Sequence, residues 1–361
     1  MSRIDLPERP RILVVALRRL GDVLLTTPLI ASLRQAWPAA TIEALVFADT
    51  AGILAGNPDL DGVVTLPAKR TIAQSVSLAT KLWRRYDLAI STQSGDRPTF
   101  FAVLASRNAV APVEARASGA LKTRFLKRNV PVGSGVHRVE DMLRLAAALG
   151  IERAPRLVPP AALPFAGKPA GDYAVIHAAP MFRYKQWTAQ GWRDIAASLK
   201  AGGLTVIATG GPAADERAYL DDIWRGAEVT RLDGQLNWGQ LSGLLAGAKV
   251  FIGPDTSVTH LAAACGCPTV ALFGPTDPRL WGPWPSGGLS APWADTGAVQ
   301  QRGNVWLVQH AFPCTPCQLE GCERRLQSYS ACLDALTPQQ VLVAIDEALA
   351  YAADARPLAN V

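Results

Sequence analysis

Several things are scarce in this chain, and each absence narrows its class. No apolar run is long: the longest uncharged stretch, residues 256–276, approaches membrane-span length but holds His260, Gly266, Pro268, Gly274 and Pro275. These divide it into helix, turn and strand, so a transmembrane reading is rejected. No secretory leader is evident, because residues 1–11 carry charges of both signs and the following ILVVAL is too short for its apolar region. The chain is therefore expected in the cytosol. Its six cysteines are then read as reduced or metal-binding rather than disulfide-bonded. No repeat with a period of 20–50 residues and no low-complexity tract stands out. A GxGxxG fingerprint is also missing, which argues against a nicotinamide-binding first half.

What is present describes a globular α/β protein. Across 361 residues, 49% are hydrophobic and 18% charged, enough for two domains with substantial cores. Strand-like and helix-like runs alternate: RILVVAL, an amphipathic stretch over 22–37, TIEALVF, GVVTL, a helix over 75–85 and DLAIST. The second half repeats the rhythm with YAVIHAA, LTVIATG, EVTRL, KVFIG and PTVALFG separated by helices at 188–200, 213–224, 238–246 and 258–265. Such alternation predicts two doubly wound, Rossmann-like sheets. Residues 154–171, rich in Pro and Gly, form the expected hinge linker between domains at 1–165 and 166–336. The amphipathic stretch at 338–352 is read as a helix within a C-terminal segment, 337–361, that could cross back to the first domain. Open α/β sheets bind ligands outside the carboxyl ends of their strands, so two facing sheets predict one cleft served from both sides.

The net charge of +6 is unevenly spread. Residues 1–165 hold 22 Lys and Arg against 13 Asp and Glu, a balance of +9, and residues 166–361 hold 14 against 17, a balance of −3. A basic first half suits an anionic macromolecule or a phosphate-bearing surface. Within it, 115–128 contains Arg116, Lys122, Arg124, Lys127 and Arg128, no acid, and interleaved Leu121, Phe125 and Leu126. The run is either a solvated loop or a surface for an anionic membrane or for acceptor phosphates, each basic group near such a surface contributing about 1 kcal/mol. Nucleic acid fits the charge but has no recognisable module here.

Candidate chemistry collects at strand ends. Asp22 follows the first strand, behind Arg18, Arg19 and Gly21. As an N-cap or first-turn acid it would stabilise the helix by about 0.5–2 kcal/mol. As a free carboxylate at the sheet's carboxyl edge it would accept a proton from an incoming hydroxyl, with the arginines holding phosphate or acid groups. In the second half, Asp255, Thr256 and Ser257 open a helix bearing His260; its amides and dipole can bind phosphate, the plain alternatives being capping and a packed histidine. Arg183 and Lys185 follow another strand, where a cation can neutralise a departing pyrophosphate. Gly210 and Gly211 permit close backbone approach, and Glu216 suits ribose hydroxyls or an ordinary first turn. Cys314, Cys317, Cys322 and Cys332 leave a zinc site conceivable, although their spacing is not a paired CxxC. Cys265 and Cys267, flanking a turn, are read as packing residues.

Taken together, LRRLGDVLLTTPLIASLR, KQW, GGP with DER, and above all DTSVTHLAAACGCPTVALFGPTDP resemble glycosyltransferase family 9, the ADP-heptose:lipopolysaccharide heptosyltransferases. GPTDPRLWGPW and the TTP after GDVLL are most similar to its heptosyltransferase III branch. The resemblance implies a GT-B fold with ADP-heptose on the second domain and a lipid A-core acceptor on the first. It implies inverting transfer without metal or cofactor, in a peripheral enzyme at the cytosolic face of the inner membrane. By position Asp22 matches the family's base, Lys185 its phosphate-binding lysine, Asp255, Thr256, Ser257 and His260 its donor-phosphate loop, and Glu216 its ribose acid. Ser257 stands where several relatives have glycine. A GT-B enzyme using a UDP-sugar and a non-catalytic nucleotide-binding module remain the alternatives.

Overall fold

The computed structural model describes residues 2–67, 71–114 and 122–354 and divides into two units, Met1–Pro160 and Ala161–Val361. The first is built on six parallel strands: β1 Arg11–Ala16, β2 Thr41–Phe47, β3 Gly62–Leu66, β4 Leu88–Ser91, β5 Ala109–Val113 and β6 Arg128–Pro131. Their order is β3-β2-β1-β4-β5-β6. Its helices among the described residues include α1 Leu20–Leu24, α2 Thr27–Ala36, α3 Ile72–Leu82, α4 Asp96–Ala105 and α5 Arg138–Ala148. Because successive strand residues face opposite sides, Ile12 and Val14 pack with Leu29, Leu33, Met142 and Leu145 from α2 and α5. Leu13 and Val15 instead meet Leu82, Phe101 and Ala105 from α3 and α4. Both faces are thus covered, as a parallel sheet requires.

The helix expected over 22–37 is two helices. Thr26 Oγ1 donates to the Asp22 carbonyl at 2.9 Å and Thr27 Oγ1 to that of Leu24 at 2.8 Å. Pro28 lacks the N–H that would continue the ladder, so the chain restarts there. The break leaves Asp22 on a helix of five residues.

The second unit holds β7 Tyr173–His177, β8 Thr205–Thr209, β9 Thr230–Arg231, β10 Val250–Pro254, β11 Thr269–Phe273, β12 Val299–Arg302 and β13 Val305–Gln309. Their order is β12-β13-β11-β10-β7-β8-β9, parallel except for the β12–β13 hairpin. Its principal helices are α6 Ala189–Ala201, α7 Ala214–Ile223, α8 Trp238–Gly247, α9 Ser257–Ala264 and α10 Pro338–Asp354. One core joins Ile176, Val206, Ile252 and Leu272 to Trp192 and Ile195 of α6 and to Val341, Ala344, Ile345 and Ala348 of α10. The apolar face of the final helix is thus buried on the second unit's own sheet.

The Pro-rich segment is fastened rather than loose. Ala154 and Val158 donate backbone N–H bonds to Ser32 Oγ and Thr27 Oγ1 in the first unit. Leu163 N–H donates to Gly239 O in the second. Among the described residues, no helix is long and apolar enough to cross a membrane.

Candidate active site

In each unit the strand order reverses at one place, between β1 and β4 in the first and between β7 and β10 in the second. The crevice outside the carboxyl ends at such a switch point is where open α/β sheets hold ligands. Asp22 stands beside the first, and Lys185 and Asp255 stand at the second.

In the first unit, α1 begins four residues after β1 and carries Asp22 in its first turn. Arg19 is the N-cap residue, and α1 has no side-chain cap. The aspartate is therefore a first-turn acid and not the cap. Its side chain is 12% exposed and lies 3.6 Å from Arg18 Nη1 and 3.6 Å from Arg138 Nε, both measured to Oδ1. Oδ1 is buried and accepts no hydrogen bond. Arg138, absent from the sequence reading, enters from the start of α5, and its Nη2 donates to the Thr92 carbonyl at 2.9 Å. Burial pulls the guanidinium's pKa down, while the charge of Asp22 opposes that fall. No local motif marks Arg138, because its partner is more than a hundred residues away in the chain.

The other basic candidates separate into two groups. Lys122 Nζ is engaged by Asp96 Oδ1 at 2.6 Å and the Ser94 carbonyl at 2.6 Å, and Arg128 Nη1 ties β6 to the Ala148 carbonyl at 2.6 Å. Those two side chains brace the unit. Arg124 and Lys127 are exposed beside Phe125, whereas Arg116 lies outside the described residues.

In the second unit, a short helical turn at Arg183–Lys185 follows β7 and presents Lys185 Nζ to Asp255 Oδ2, just after β10. The pair bridges the switch point and is largely buried, with side chains 19% and 8% exposed. Burial opposes ionisation of Asp255, but the charges of Lys185 and His260 and hydrogen bonds from Lys185 and Thr276 outweigh it and hold the carboxyl below its ordinary range. Thr276, which follows β11, was not singled out from sequence, although its place in GPTDP after a strand was a usable signal.

Thr256 caps α9: its Oγ1 receives Thr259 N–H at 3.4 Å and lies 3.2 Å from Thr259 Oγ1. Ser257 and Val258 occupy the first two helical positions, whose N–H groups no intrahelical carbonyl reaches. His260 is buried on the first turn beside Asp255. The capping reading is correct for Thr256, and it coexists with a helix start suited to an anion.

Glu216 Oε1 accepts Gly211 N–H at 2.6 Å. A Cβ at Gly211 would lie 2.6 Å from Glu216 Oε2, and one at Gly210 would overlap Leu220 Cδ1, so this approach requires both glycines. Glu216 is half-buried; burial and the charges of Asp215 and Asp233 raise its pKa against the Gly211 bond. Nearby, buried His177 at the end of β7 meets Thr209 Oγ1 at 3.1 Å, and burial lowers its pKa to about 4, leaving it neutral at pH 7. Arg183 is exposed, and its charge acts on Asp334.

In the cysteine loop, burial chiefly, together with the nearby Cys317 and Cys322, pushes the Cys332 thiol pKa up. Among the described residues, no group of three or more His, Cys, Asp or Glu is placed to hold a metal ion. Cys314 and Cys322 are exposed and Cys332 is buried, with Ala331 N–H directed at Cys322 Sγ at 3.4 Å. Cys265 and Cys267 are packing thiols whose pKa burial drives up, to about 12 for Cys265.

Two doubly wound sheets with charged pairs at their switch points define an α/β protein of the Rossmann-like type. The profile of glycosyltransferase family 9 (heptosyltransferase) matches residues 75–287. Lipopolysaccharide heptosyltransferase 3 of Escherichia coli is 30% identical over 286 residues, covering 73% of this chain and 83% of that protein. Lipopolysaccharide heptosyltransferase 1 of Pseudomonas aeruginosa is 28% identical over 365 residues, covering 94% and 98%. The crystallised E. coli heptosyltransferase WaaC with ADP-2-deoxy-2-fluoro heptose superimposes with a TM-score of 0.69 at 22% identity, over 93% of this chain and 99% of that one. The chain belongs to glycosyltransferase family 9, the heptosyltransferases, and has their GT-B fold.

Proposed function

We propose that this enzyme transfers heptose from ADP-heptose to a sugar of the inner core of lipopolysaccharide, inverting the anomeric centre without a metal ion or cofactor. The observation that carries the reading is the Lys185–Asp255 pair at the mouth of α9, a cation and a helix start aimed at one switch point.

An acceptor hydroxyl is a weak nucleophile. Asp22 removes its proton as the new carbon–oxygen bond forms, an effect of about 10²- to 10⁴-fold. The bond between the anomeric carbon and the diphosphate breaks, and ADP leaves with the electron pair. Backbone N–H groups of Ser257 and Val258 receive that charge, and Lys185 exchanges Asp255 for phosphate. Glu216, with Gly210 and Gly211, holds the ribose, and Arg183 lies on the same strand-end side of the sheet as Lys185. Arg18 and Arg19 meet anionic groups of the lipid A-core acceptor.

The same reading places the enzyme at an anionic membrane surface, on the cytosolic face of the inner membrane. Val76 and Trp83, seven residues apart on and just beyond α3, are 57% and 62% exposed, and Phe100 on α4 is 58% exposed. Exposed Arg124 and Lys127 add positive charge to the same unit. Apolar side chains with basic neighbours suit a phosphate-bearing lipid surface. Arg116 belongs to this expectation as well, whereas Lys122 is taken up by Asp96 and the Ser94 carbonyl; nucleic acid is no part of the reading.

The test is transfer to a heptose-deficient core acceptor with ADP-heptose, alongside UDP-sugars. Product from ADP-heptose, lost in Asp22→Asn with ADP affinity retained, supports the proposal. Turnover only with a UDP-sugar, or ADP binding without any turnover, refutes it.

A further inference from the structure

Resting on the transfer reading above, we propose that Arg138 is a positioning residue for the reaction: one edge of its guanidinium joins the Thr92 carbonyl to Asp22 Oδ1 and so fixes how the base meets the acceptor hydroxyl. Arg138 is the first residue of α5, whose N-cap, His137, accepts Val139 N–H at Nδ1. The arginine therefore leaves a well-anchored helix start. Its Nη2 is bonded to Thr92 O, and Thr92 is itself tied to β1, with both N–H and Oγ1 donating to Val15 O at 3.0 and 3.1 Å. A single guanidinium thus spans the switch point, from the end of β4 to the helix that follows β1.

The contact with Asp22 is unusual in one respect. Arg138 Nε and Asp22 Oδ1 are both buried, neither makes a hydrogen bond, and they stand 3.6 Å apart. Buried polar atoms without partners are uncommon and call for an explanation. Catalytic hydrogen bonds are often long without substrate and tighten in the complex, which accounts for a facing pair left slightly open. Both nearby guanidinium groups make their closest approach at Oδ1, leaving Oδ2 as the oxygen for the incoming proton.

Arg18 cannot replace Arg138 in this task, because its side chain is 46% exposed and solvent screens and loosens it, whereas that of Arg138 is 13% exposed. Asp141, on the next turn, faces Arg138 and Arg144; burial raises its pKa against both cations. Lysine would keep the charge but not the two-point edge, since an ammonium cannot serve Thr92 and Asp22 with fixed geometry.

The experiment compares Arg138→Ala and Arg138→Lys with wild type in the transfer assay, with and without millimolar guanidinium. In Arg138→Ala, kcat should fall about 10²-fold, the scale of a small misplacement at a reacting centre, with ADP affinity unchanged. Guanidinium should restore part of that rate, and none when Asp22→Asn is added. A wild-type kcat in Arg138→Ala overturns the proposal, as does a loss that guanidinium leaves untouched. Should Arg138→Ala fail to fold, Arg138→Lys decides: reduced kcat at an unchanged melting temperature supports positioning, and full kcat overturns it. Wild-type protein inactive with ADP-heptose sinks the functional reading itself and this inference with it, whereas active wild type with an unaffected arginine variant sinks the inference alone.

Discussion

Replacing Lys185 with alanine removes the ammonium from a carboxylate that has little access to water. Both side chains are largely buried, 19% and 8% exposed, so solvent cannot take over the lost partner. Breaking a buried pair from one side costs about 3–5 kcal/mol. For a unit of this size each kcal/mol moves the melting temperature by about 2–4 °C, so a fall of roughly 6–20 °C is expected at pH 7. The pH dependence carries a definite sign. Asp255 has a depressed pKa in the folded protein, so its contribution is present above the unfolded value, near 3.8, and disappears as pH falls through the folded one. In the variant, burial acts without the ammonium that opposes it, and protonating Asp255 relieves the strain. The gap between wild type and Lys185→Ala should therefore be widest near neutrality and narrow below about pH 4. Thermal melts across this range, with and without ADP, make the measurement. An unchanged melting temperature together with an unchanged ADP affinity would refute the buried-pair reasoning and the donor role at once.

Two further outcomes follow from named contacts. Gly210→Ala forces Leu220, fully buried on α7, out of its place; denaturant melts should show a loss of about 1–3 kcal/mol, and ADP affinity should fall with the shifted loop. Replacing Trp83 and Phe100 together with serine should reduce co-sedimentation with anionic vesicles while kcat on a soluble, truncated acceptor stays at the wild-type value. Undiminished sedimentation would remove those two side chains from the membrane role.

The periodicity of the chain was enough to predict two parallel, doubly wound sheets, because the βαβ rhythm and the short turn motifs are local. Asp22, Lys185 and Asp255 were legible for the same reason, each lying just beyond a recognisable strand. The break between α1 and α2 was also written locally, in Thr26, Thr27 and Pro28, yet the amphipathic pattern across it reads as one helix. The basic run was harder to read, since charge alone does not separate Lys122 and Arg128, which brace neighbouring backbone, from exposed Arg124 and Lys127.

By itself, the order of residues determined which side chains stand at strand ends and which stand at helix starts. Only the tertiary structure decided their partners. Lys185 meets Asp255 across 70 positions of chain, and Arg138 reaches Asp22 from a helix formed after five intervening strands. Such pairings depend on strand order and on which ends lie side by side at the switch point, a property of the folded sheet that no local spacing encodes.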